Sequence, residues 1–305
     1  MEQNELTAEA VEASGFVLLD KPAGMTSFQL LSPLKKVFHT KRVGHAGTLD
    51  QEATGLMVAA VGKCTRLLER IESQTKLYSF RLHLGKETDT LELSGNMVTE
   101  DPGAVRTRSD LQAVLAPFVG LIDQMPPKYS AIKIEGRRAS DLARDGEEVE
   151  LKPRRIEIIR LEITSPESNQ PVDSFDLICH CSKGTYIRSL GRDLAKAMET
   201  VGAVSNIRRL AIGNLLVEQG QSIESPDSLR LILPEEILPW PHFEVTDVEL
   251  AALRQGKKLH MGPERSNRPE EVFRRSTQAF ATSNGRAVTS CFYESETLLP
   301  ELQLY

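Results

Sequence analysis

The stretch GHAGTLDQEATG, from Gly44 to Gly55, has the residue types of a reaction centre that uses one aspartate. Metal sites and two-carboxylate hydrolases bring several ligands or acids together, whereas here Asp50 stands with a histidine, His45, among small residues. The glycines indicate that the backbone passes close to a large flat group. A second interpretation is open: Thr48 and Gln51 match a helix capping box, in which Asp50 would favour the first turn electrostatically.

A second stretch, CSKGTYIRSLGRDL, offers an arginine that needs an anionic partner. Lys183 and Gly184 lie at a predicted strand-to-helix turn, where free backbone donors attract anions. Arg188 falls in the first turn of the helix, and the helix dipole disfavours a cation there unless a phosphate or a carboxylate faces it. An ordinary surface ion pair with Asp193 or Glu199 explains the segment equally well.

Basic residues and one tyrosine complete the set of candidate site residues. Lys41 and Arg42 lead directly into the Gly44–Gly55 stretch, and a basic approach to a glycine-rich concavity is what a nucleic-acid enzyme needs. Further basic clusters lie at KIEGRRASDLAR and NIRRL, although clusters of charged residues usually just form a solvent-exposed surface. Tyr78 lies on an alternating strand, where it either packs in the core or stacks on a base.

Composition and charge narrow the class of protein. The 305 residues are 40% apolar and the formal net charge is −6, which argues against a generally basic nucleic-acid coat but allows a local basic groove. The acidic N-terminus has no apolar segment typical of a signal peptide, and no run reaches the length of a membrane span. Cys179 and Cys181 share a strand face opposite His180, so we expect buried thiols rather than a metal cluster. We expect a reduced, cytoplasmic protein without membrane contact.

Strand and helix patterns alternate without regular βαβ repeats, which predicts an α+β fold rather than a doubly wound sheet. Buried or alternating strands are expected at GFVLLD, LMVAAVG, KLYSFRLHLG and FDLICHC. Helices are expected around Phe28–Phe38, with Ser32-Pro33 as a kink or a fresh start, near Ala139–Arg144, and after Thr185 as a cap. A linker is expected at Pro234–Pro241, with short strands beyond it.

Several motifs together resemble the TruB family, the tRNA pseudouridine-55 synthases. The stretch GHAGTLDQEATG is similar to the family's Gly-His-x-Gly-x-Leu-Asp-Pro-x-Ala-Thr-Gly signature. LLDKPAGMTS resembles its N-terminal loop, KLYSF its tyrosine strand, HLGKETDT its Leu-Gly-x-x-Thr-Asp-Thr segment, MPPKYSAIKIEGRR its RNA-gripping insertion, and CSKGTYIRSLGRDL its arginine motif. The likeness runs from about Gly15 to Gly213, and the shared order makes it specific where any single motif would be weak.

The resemblance implies a function for the aspartate. Members of the family isomerise a uridine in the T loop of tRNA to pseudouridine, detaching the base from its sugar and rejoining it through carbon, with one essential aspartate and no metal or organic cofactor. Asp50 matches that aspartate, Arg188 the arginine that favours its ionised form, and Tyr78 the tyrosine that packs on the target base and helps remove its C5 proton. A base in a folded loop must first be flipped out of its stack. Whether Asp50 attacks the sugar, attacks the base or removes a sugar proton stays open.

The resemblance also implies residues that contact the RNA. His45 matches the histidine placed against the vacated base stack, and Leu210 resembles a leucine that lines the pocket. The remaining expected RNA contacts are basic side chains: Lys21, Lys41, Arg42, Lys133, Arg137, Lys183 and Arg208. Gln51 stands where the family usually has proline, so the loop after Asp50 is expected to be less rigid, without effect on the chemistry.

The implied architecture is a pseudouridine-synthase fold in three parts. Residues 1–14 are expected to form a disordered acidic leader, residues 15–240 the catalytic domain with its insertion at about 124–155, and residues 241–305 a small β-rich PUA-like RNA-binding domain. The catalytic domain is expected to hold a central mixed, largely antiparallel sheet flanked by helices. The expected partner is the T arm of tRNA, with no guide RNA and no obligate protein partner.

Three other functions compete with this one. A tRNA-binding or tRNA-folding protein with secondary or lost activity would keep the RNA contacts, but the joint presence of Asp50, Tyr78 and Arg188 speaks against loss. A guide-RNA-dependent ribosomal RNA pseudouridine synthase fits less well, since a basic tail extension is missing. An α+β enzyme with coincidental motifs would not show them in this order.

Overall fold

The computed structural model describes residues 13–130, 151–168, 170–274 and 276–304, with 133–134, 137–138, 142 and 145 between the first two ranges. The strands, in chain order, are β1 (Gly15–Lys21), β2 (Val43–His45), β3 (Thr54–Val61), β4 (Lys76–Leu84), β5 (Lys86–Thr88), β6 (Met97–Glu100), β7 (Gly120–Gln124), β8 (Lys133–Ile134), β9 (Arg137–Arg138), β10 (Arg154–Ile163), β11 (Ser174–Cys181), β12 (Gly202–Ile212), β13 (Leu215–Leu216), β14 (His242–Glu244), β15 (Leu259–His260), β16 (Thr277–Ser283), β17 (Arg286–Glu294) and β18 (Thr297–Gln303). The helices are α1 (Leu31–Val37), α2 (Leu68–Glu72), α3 (Arg108–Leu115), α4 (Ile187–Ala197), α5 (Pro234–Ile237), α6 (Asp247–Arg254) and α7 (Pro269–Arg274).

A mixed sheet forms the centre of the larger part of the chain. Its strands run in the order β1-β3-β12-β4-β11-β10-β7, with β2 added to β3 and β13 to β12. Only the β3–β12 pair is parallel among these described strands, so the prediction of a mixed, largely antiparallel sheet within an α+β fold is confirmed. Strand β4 alternates between buried and half-buried residues, as its sequence pattern predicts.

Both faces of the central sheet are covered. Strands β1 and β3 are buried except for half-buried Asp20 and Thr54, and they send apolar side chains to each side. Helices α1, α3 and α4 lie on one face, where Leu34, Leu111 and Leu190 join one hydrophobic cluster. Helix α2 and α5 lie on the other face, where Ile71 and Ile237 join a second cluster. Arg188 is part of α4 on the first face, and the loop residue Asp50 contacts it there.

The C-terminal residues form a separate five-stranded sheet in the order β14-β16-β17-β18-β15. Its own core includes Phe243 and Tyr293, whose rings stack with centroids 4.7 Å apart. The turn between β16 and β17 places Asn284 and Gly285 at positive φ, which is the chemistry of a tight hairpin turn. Phe280 of this sheet packs into the second cluster of the larger sheet, so the two sheets share apolar contact. The short C-terminal strands predicted from the sequence are present, whereas the division at residue 241 stays a prediction.

Three local predictions are corrected by the structure. The helix expected around Phe28–Phe38 begins only at Leu31, with Pro33 in its first turn, because proline lacks the N–H that later turns need. The Thr185 hydroxyl does not cap α4 but donates to the Ser182 carbonyl at 3.1 Å. The expected linker at Pro234–Pro241 contains the short helix α5. The leader up to residue 12, the helix near Ala139–Arg144 and most of the insertion at 124–155 lie outside the described residues.

The cysteines and the hydropathy of the helices follow the sequence pattern. Cys179 and Cys181 are buried free thiols, as are the other two cysteines. His180 lies on the opposite face of β11, where its Nε2 is 2.9 Å from the Thr75 hydroxyl. In the described part of the chain, no helix is both long and apolar enough to cross a bilayer.

Candidate active site around Asp50 and Arg188

The segment that carries Asp50 is a loop between β2 and β3. Residues 46–53 form no helix, so the capping-box interpretation of Thr48 is wrong. Gly55 has φ +103°, and a Cβ there would lie 2.3 Å from the backbone oxygen of Arg209. Gly55 faces Arg209 in the parallel β3–β12 pair, so this glycine is needed for the close approach of β12 rather than of a flat ligand.

Asp50 forms a two-point ion pair with Arg188. The Nη2 of Arg188 donates to Oδ1 of Asp50 at 2.9 Å, and its Nε lies 2.9 Å from Oδ2. The Arg188 side chain is 5% exposed, whereas that of Asp50 is 39% exposed. A guanidinium that contacts both oxygens fixes the orientation of the carboxylate. The arrangement therefore presents one oriented carboxylate to a group that arrives from solvent.

Two backbone carbonyls hold Arg188 in this position. Its Nη1 donates to the Thr90 carbonyl and its Nη2 to the Tyr129 carbonyl, each at 2.9 Å. Thr90 lies in the HLGKETDT motif and Tyr129 in the MPPKYS motif, so four of the sequence motifs meet at one guanidinium. Asp193 is paired with the neighbouring Arg192 instead. The alternative of an ordinary surface ion pair for Arg188 is therefore wrong.

Tyr78 lies on the same side of the sheet as the Asp50 loop. It is on β4, 9% exposed, and joins the same hydrophobic cluster as Leu49, the residue before Asp50. Burial raises the pKa of the Tyr78 phenol, and the guanidinium of Arg209 opposes that shift. The phenol is therefore uncharged at physiological pH and presents a neutral aromatic ring.

Arg209 belongs to the basic NIRRL cluster but was not among the expected site residues. Its side chain is 1% exposed, and Nε donates to the Leu56 carbonyl at 2.7 Å. Its Nη2 donates to the Gly47 carbonyl at 3.2 Å, which ties β12 to the loop before Asp50. The neighbouring Arg208 points the other way and pairs with Asp20. Alternation along a strand was the available signal, since it places one of two adjacent arginines inside.

Lys21, expected to contact RNA, is instead a buried structural residue. Its side chain is fully buried, and Nζ donates to the carbonyls of Pro22, Met25 and Gln51 at 2.9, 2.6 and 3.0 Å. Burial lowers the pKa of this amine. Because all three N–H donors are used by backbone carbonyls, Lys21 holds the residue after Asp50 in place and is not available to a phosphate.

Gln51 is also held from its other side. Its backbone carbonyl accepts from the Gly24 N–H at 2.9 Å, and its side-chain Nε2 donates to the Gly24 carbonyl at 3.1 Å. The loop that was expected to lose rigidity without proline is therefore tied by hydrogen bonds to the turn after β1.

Replacing Lys21 with methionine is expected to destabilise the protein by roughly 2–4 kcal/mol, because methionine cannot make the three hydrogen bonds of the fully buried amine. Urea unfolding measures the change. Lys41→Met is the matched control, since Lys41 is exposed and its loss is expected to stay within about 0.5 kcal/mol. RNA affinity should show the reverse pattern: Lys41→Met is expected to weaken binding, whereas Lys21→Met is expected to leave it unchanged. A folded Lys21→Met protein with weakened RNA affinity would contradict the structural role.

The other basic residues expected to contact RNA differ in whether their side chains already pair with a carboxylate. Lys41, Arg42 and Lys183 are exposed and remain predicted phosphate contacts. The Arg208 guanidinium donates to both carboxylate oxygens of Asp20, at 3.0 and 2.7 Å, so its charge is already balanced. Arg137 is similarly paired with Asp145 in a surface ion pair.

Lys133 lies on β8, but its side chain is outside the described residues. The structure does not bring Leu210 to the Asp50 side. Leu210 packs against the cluster on the opposite face of the sheet, whereas Ile207, also on β12, is 6% exposed within the cluster of Tyr78. Ile207 is therefore the apolar residue of β12 on the side of the site. His45, at the end of β2, is half-buried, and burial and Arg209 lower the pKa of its imidazole.

Glu92 is a second acidic group near the ion pair that the sequence patterns did not single out. It lies between β5 and β6, two residues after the carbonyl that binds Arg188. Burial and the neighbouring Asp50 carboxylate raise its pKa from the ordinary 4.5 to about 7. Glu92 therefore changes charge in the physiological pH range, close to the site.

This pKa predicts how stability depends on pH. Between pH 4.5 and about 7 the folded protein keeps a proton on Glu92 that the unfolded chain has released, so rising pH lowers stability across that window. Glu92→Gln removes the titration. At pH 8 the variant is expected to be more stable than the parent by roughly 1–2 kcal/mol, a figure that allows for solvent screening of the partly exposed Glu92. Below pH 4.5 the two proteins are expected to be equally stable. Urea unfolding at both pH values measures this, and a constant difference would contradict it.

Sequence comparison places this site within a known family. The profile of the TruB family pseudouridylate synthase N-terminal domain matches residues 35–187. The chain is 37% identical over 298 residues to a protein named tRNA pseudouridine synthase B from Caulobacter sp. (strain K31), with 94% of each chain covered. It is 40% identical over 261 residues to the protein of the same name from Novosphingobium aromaticivorans, with 80% of this chain and 85% of the relative covered.

Solved structures share the fold. The Cbf5-Nop10-Gar1 complex matches with a TM-score of 0.64 at 20% identity, covering 95% of this chain and 84% of that chain. An H/ACA RNP bound to a substrate RNA containing 2′-deoxyuridine matches with a TM-score of 0.65 at 18% identity, covering 95% and 85%. At 20% and 18% sequence identity these structures indicate a shared fold only. The family profile and the relatives carry the assignment, and the chain belongs to the TruB family of pseudouridylate synthases.

Proposed function

We propose that the protein converts uridine 55 in the T loop of tRNA to pseudouridine, with Asp50 as its single catalytic carboxylate and without a guide RNA. The observation that carries the proposal is the ion pair between half-exposed Asp50 and buried Arg188, in a chain of the pseudouridylate synthase family. The name of its relatives, tRNA pseudouridine synthase B, supports tRNA as the substrate.

The isomerisation requires a carboxylate that is ionised and oriented. The N1–C1′ bond of the uridine breaks, a C5–C1′ bond forms, the C5 proton leaves and N1 receives a proton. Asp50 acts in this sequence as nucleophile or base, and both roles need its charged form. Arg188 orients the carboxylate through two contacts, and the carbonyls of Thr90 and Tyr129 keep the guanidinium from turning away.

The target uridine must leave the base stack before Asp50 can reach its sugar. Tyr78 offers a neutral ring on which the flipped base packs. Because its pKa is lowered, His45 takes the position that the flipped base leaves in the stack as a neutral imidazole. Burying a neutral ring costs less free energy than burying a cation. Ile207 belongs to the same hydrophobic cluster as Tyr78 and offers an apolar contact to the flipped base.

Exposed basic residues on the same side supply the phosphate contacts. Lys41 and Arg42 precede the Asp50 loop, and Lys183 precedes α4. Each phosphate that they neutralise releases counterions, so RNA affinity falls as salt rises. We include the predicted PUA-like sheet at 241–305 as a further RNA-binding part.

A reconstituted reaction tests the proposal. The purified protein is incubated with an unmodified tRNA transcript, without metal or guide RNA, and pseudouridine is mapped by carbodiimide treatment and primer extension. We expect one stop in the T loop, and none in a matched transcript whose T-loop uridine is replaced by cytidine. Tight binding without modification would favour a tRNA-folding protein, and a stop elsewhere would overturn the T-loop assignment.

A further inference from the structure

Phe28 is the one aromatic among the strongly exposed apolar side chains of the described residues. Its side chain is 67% exposed, although it lies in an otherwise ordered turn between β1 and α1. Leaving an aromatic ring in water forgoes roughly 25 cal/mol per Å² of apolar surface. In a protein that acts on RNA, an exposed ring of this kind is typical of a stacking site for an unpaired base.

The turn that carries Phe28 is hydrogen-bonded to the loop of Asp50. The Ser27 hydroxyl accepts a hydrogen bond from the Leu49 N–H and donates one to the Leu49 carbonyl. The Leu49 nitrogen and oxygen each lie 2.9 Å from the Ser27 Oγ. The two bonds between Gly24 and Gln51 join the same loops further along. Phe28 follows Ser27 in the chain and Asp50 follows Leu49. The hydrogen bonds between Ser27 and Leu49 therefore hold the backbones of Phe28 and Asp50 next to each other.

A cation lies beside the exposed ring. The Nζ of Lys35 is 5.1 Å from the centroid of Phe28, within the range of a cation–π contact. Lys36, the next residue on α1, is exposed as well. An aromatic face next to ammonium groups matches a nucleotide, whose base stacks while its phosphate meets the charge.

We propose that Phe28 stacks on an unpaired nucleobase of the RNA, adjacent to the uridine that Asp50 acts on, and that Lys35 contacts the phosphate of that nucleotide. The inference rests on the proposed function, because it assumes an RNA loop at Asp50. Stacking tolerates any base, so Phe28 adds affinity and orients the loop without reading its sequence. The aromatic ring, rather than its apolar surface alone, is the required feature.

Substitutions at Phe28 test the proposal with a T-arm RNA hairpin. The dissociation constant and the single-turnover rate at saturating RNA are measured for the parent, Phe28→Ala, Phe28→Leu and Phe28→Tyr. We expect Phe28→Ala and Phe28→Leu to weaken binding about 5- to 100-fold with an unchanged saturated rate, and Phe28→Tyr to bind like the parent. Val105→Ala removes another exposed apolar side chain and is expected to change neither quantity.

The outcomes separate this inference from the proposed function. Parent-like affinity of Phe28→Ala would overturn the stacking site, and parent-like affinity of Phe28→Leu would show that only apolar contact matters, which also overturns it. A parent protein that binds the hairpin but does not modify it would overturn the proposed function and leave the binding comparison valid. Lys35→Met is expected to lower the salt dependence of binding by about one phosphate contact, and an unchanged slope would remove Lys35 from the site.

Discussion

Replacing Asp50 with asparagine is expected to abolish pseudouridine formation, lowering the single-turnover rate by roughly 10⁴-fold or more. The amide has nearly the same shape but carries no charge, so it can act neither as nucleophile nor as base. Its NH₂ group would also face the Arg188 donors, which need an acceptor. RNA affinity should stay within about twofold, because Asp50 supplies no phosphate contact. Primer-extension mapping and a filter-binding assay on the same transcript measure the two quantities.

Asp176→Asn is a matched control for this substitution. Asp176 is 40% exposed and accepts both bonds of Arg81, so its environment resembles that of Asp50, which is 39% exposed. The pair joins β4 and β11 away from the Asp50 loop, and we expect parent-like activity after the change. Residual activity of Asp50→Asn above about 1% of the parent would place the essential chemistry on another group.

Replacing Arg188 with lysine is expected to lower the single-turnover rate by about 10²- to 10³-fold while RNA affinity changes little. Lysine keeps the positive charge but cannot contact both Asp50 oxygens and two carbonyls in one plane. The Asp50 carboxylate would therefore lose its fixed orientation. Arg188→Ala should likewise harm turnover more than binding, with an added loss of stability because the hydrogen bonds of Arg188 to the Thr90 and Tyr129 carbonyls are lost.

Arg81→Lys provides the comparison for the arginine variant. It makes the same change in an ion pair of similar geometry on the sheet surface, and surface pairs contribute at most about 1 kcal/mol. Circular dichroism and urea unfolding verify that each variant is folded before rates are compared. An equal loss of RNA affinity and single-turnover rate in Arg188→Lys would contradict a role beside Asp50.

Local patterns in the sequence were enough for the elements and for the identity of the central pair. Apolar alternation reflects burial on one face of a strand, which is why β4 could be predicted residue by residue. Asp50 and Arg188 stood out by residue type and by position, since a first-turn arginine needs an anion. Their partnership could not be predicted from spacing, because 138 residues separate them.

The roles of the basic residues depended on the tertiary structure. Lys21 lies within one motif and Lys41 shortly before another, yet Lys21 is fully buried and Lys41 is exposed. The difference arises because the Gln51 carbonyl, 30 residues away, reaches Lys21. A lysine side chain has the same chemistry in both places, so only the packed neighbours decide whether its donors meet carbonyls or solvent.

Strand β12 shows the same limit for adjacent residues. Alternation predicts that Arg208 and Arg209 face opposite sides, but irregularities in the β4 pairing lie on either side of them. A bulge shifts which residue faces inward, so Arg209 and Ile207 rather than Arg208 and Leu210 lie toward the site. By itself, the sequence determined the family, the α+β fold and Asp50 and Arg188 as candidate site residues, but not that these two residues pair. The tertiary structure decided which charges are buried, because burial and charge neutralisation depend on groups that are distant along the chain.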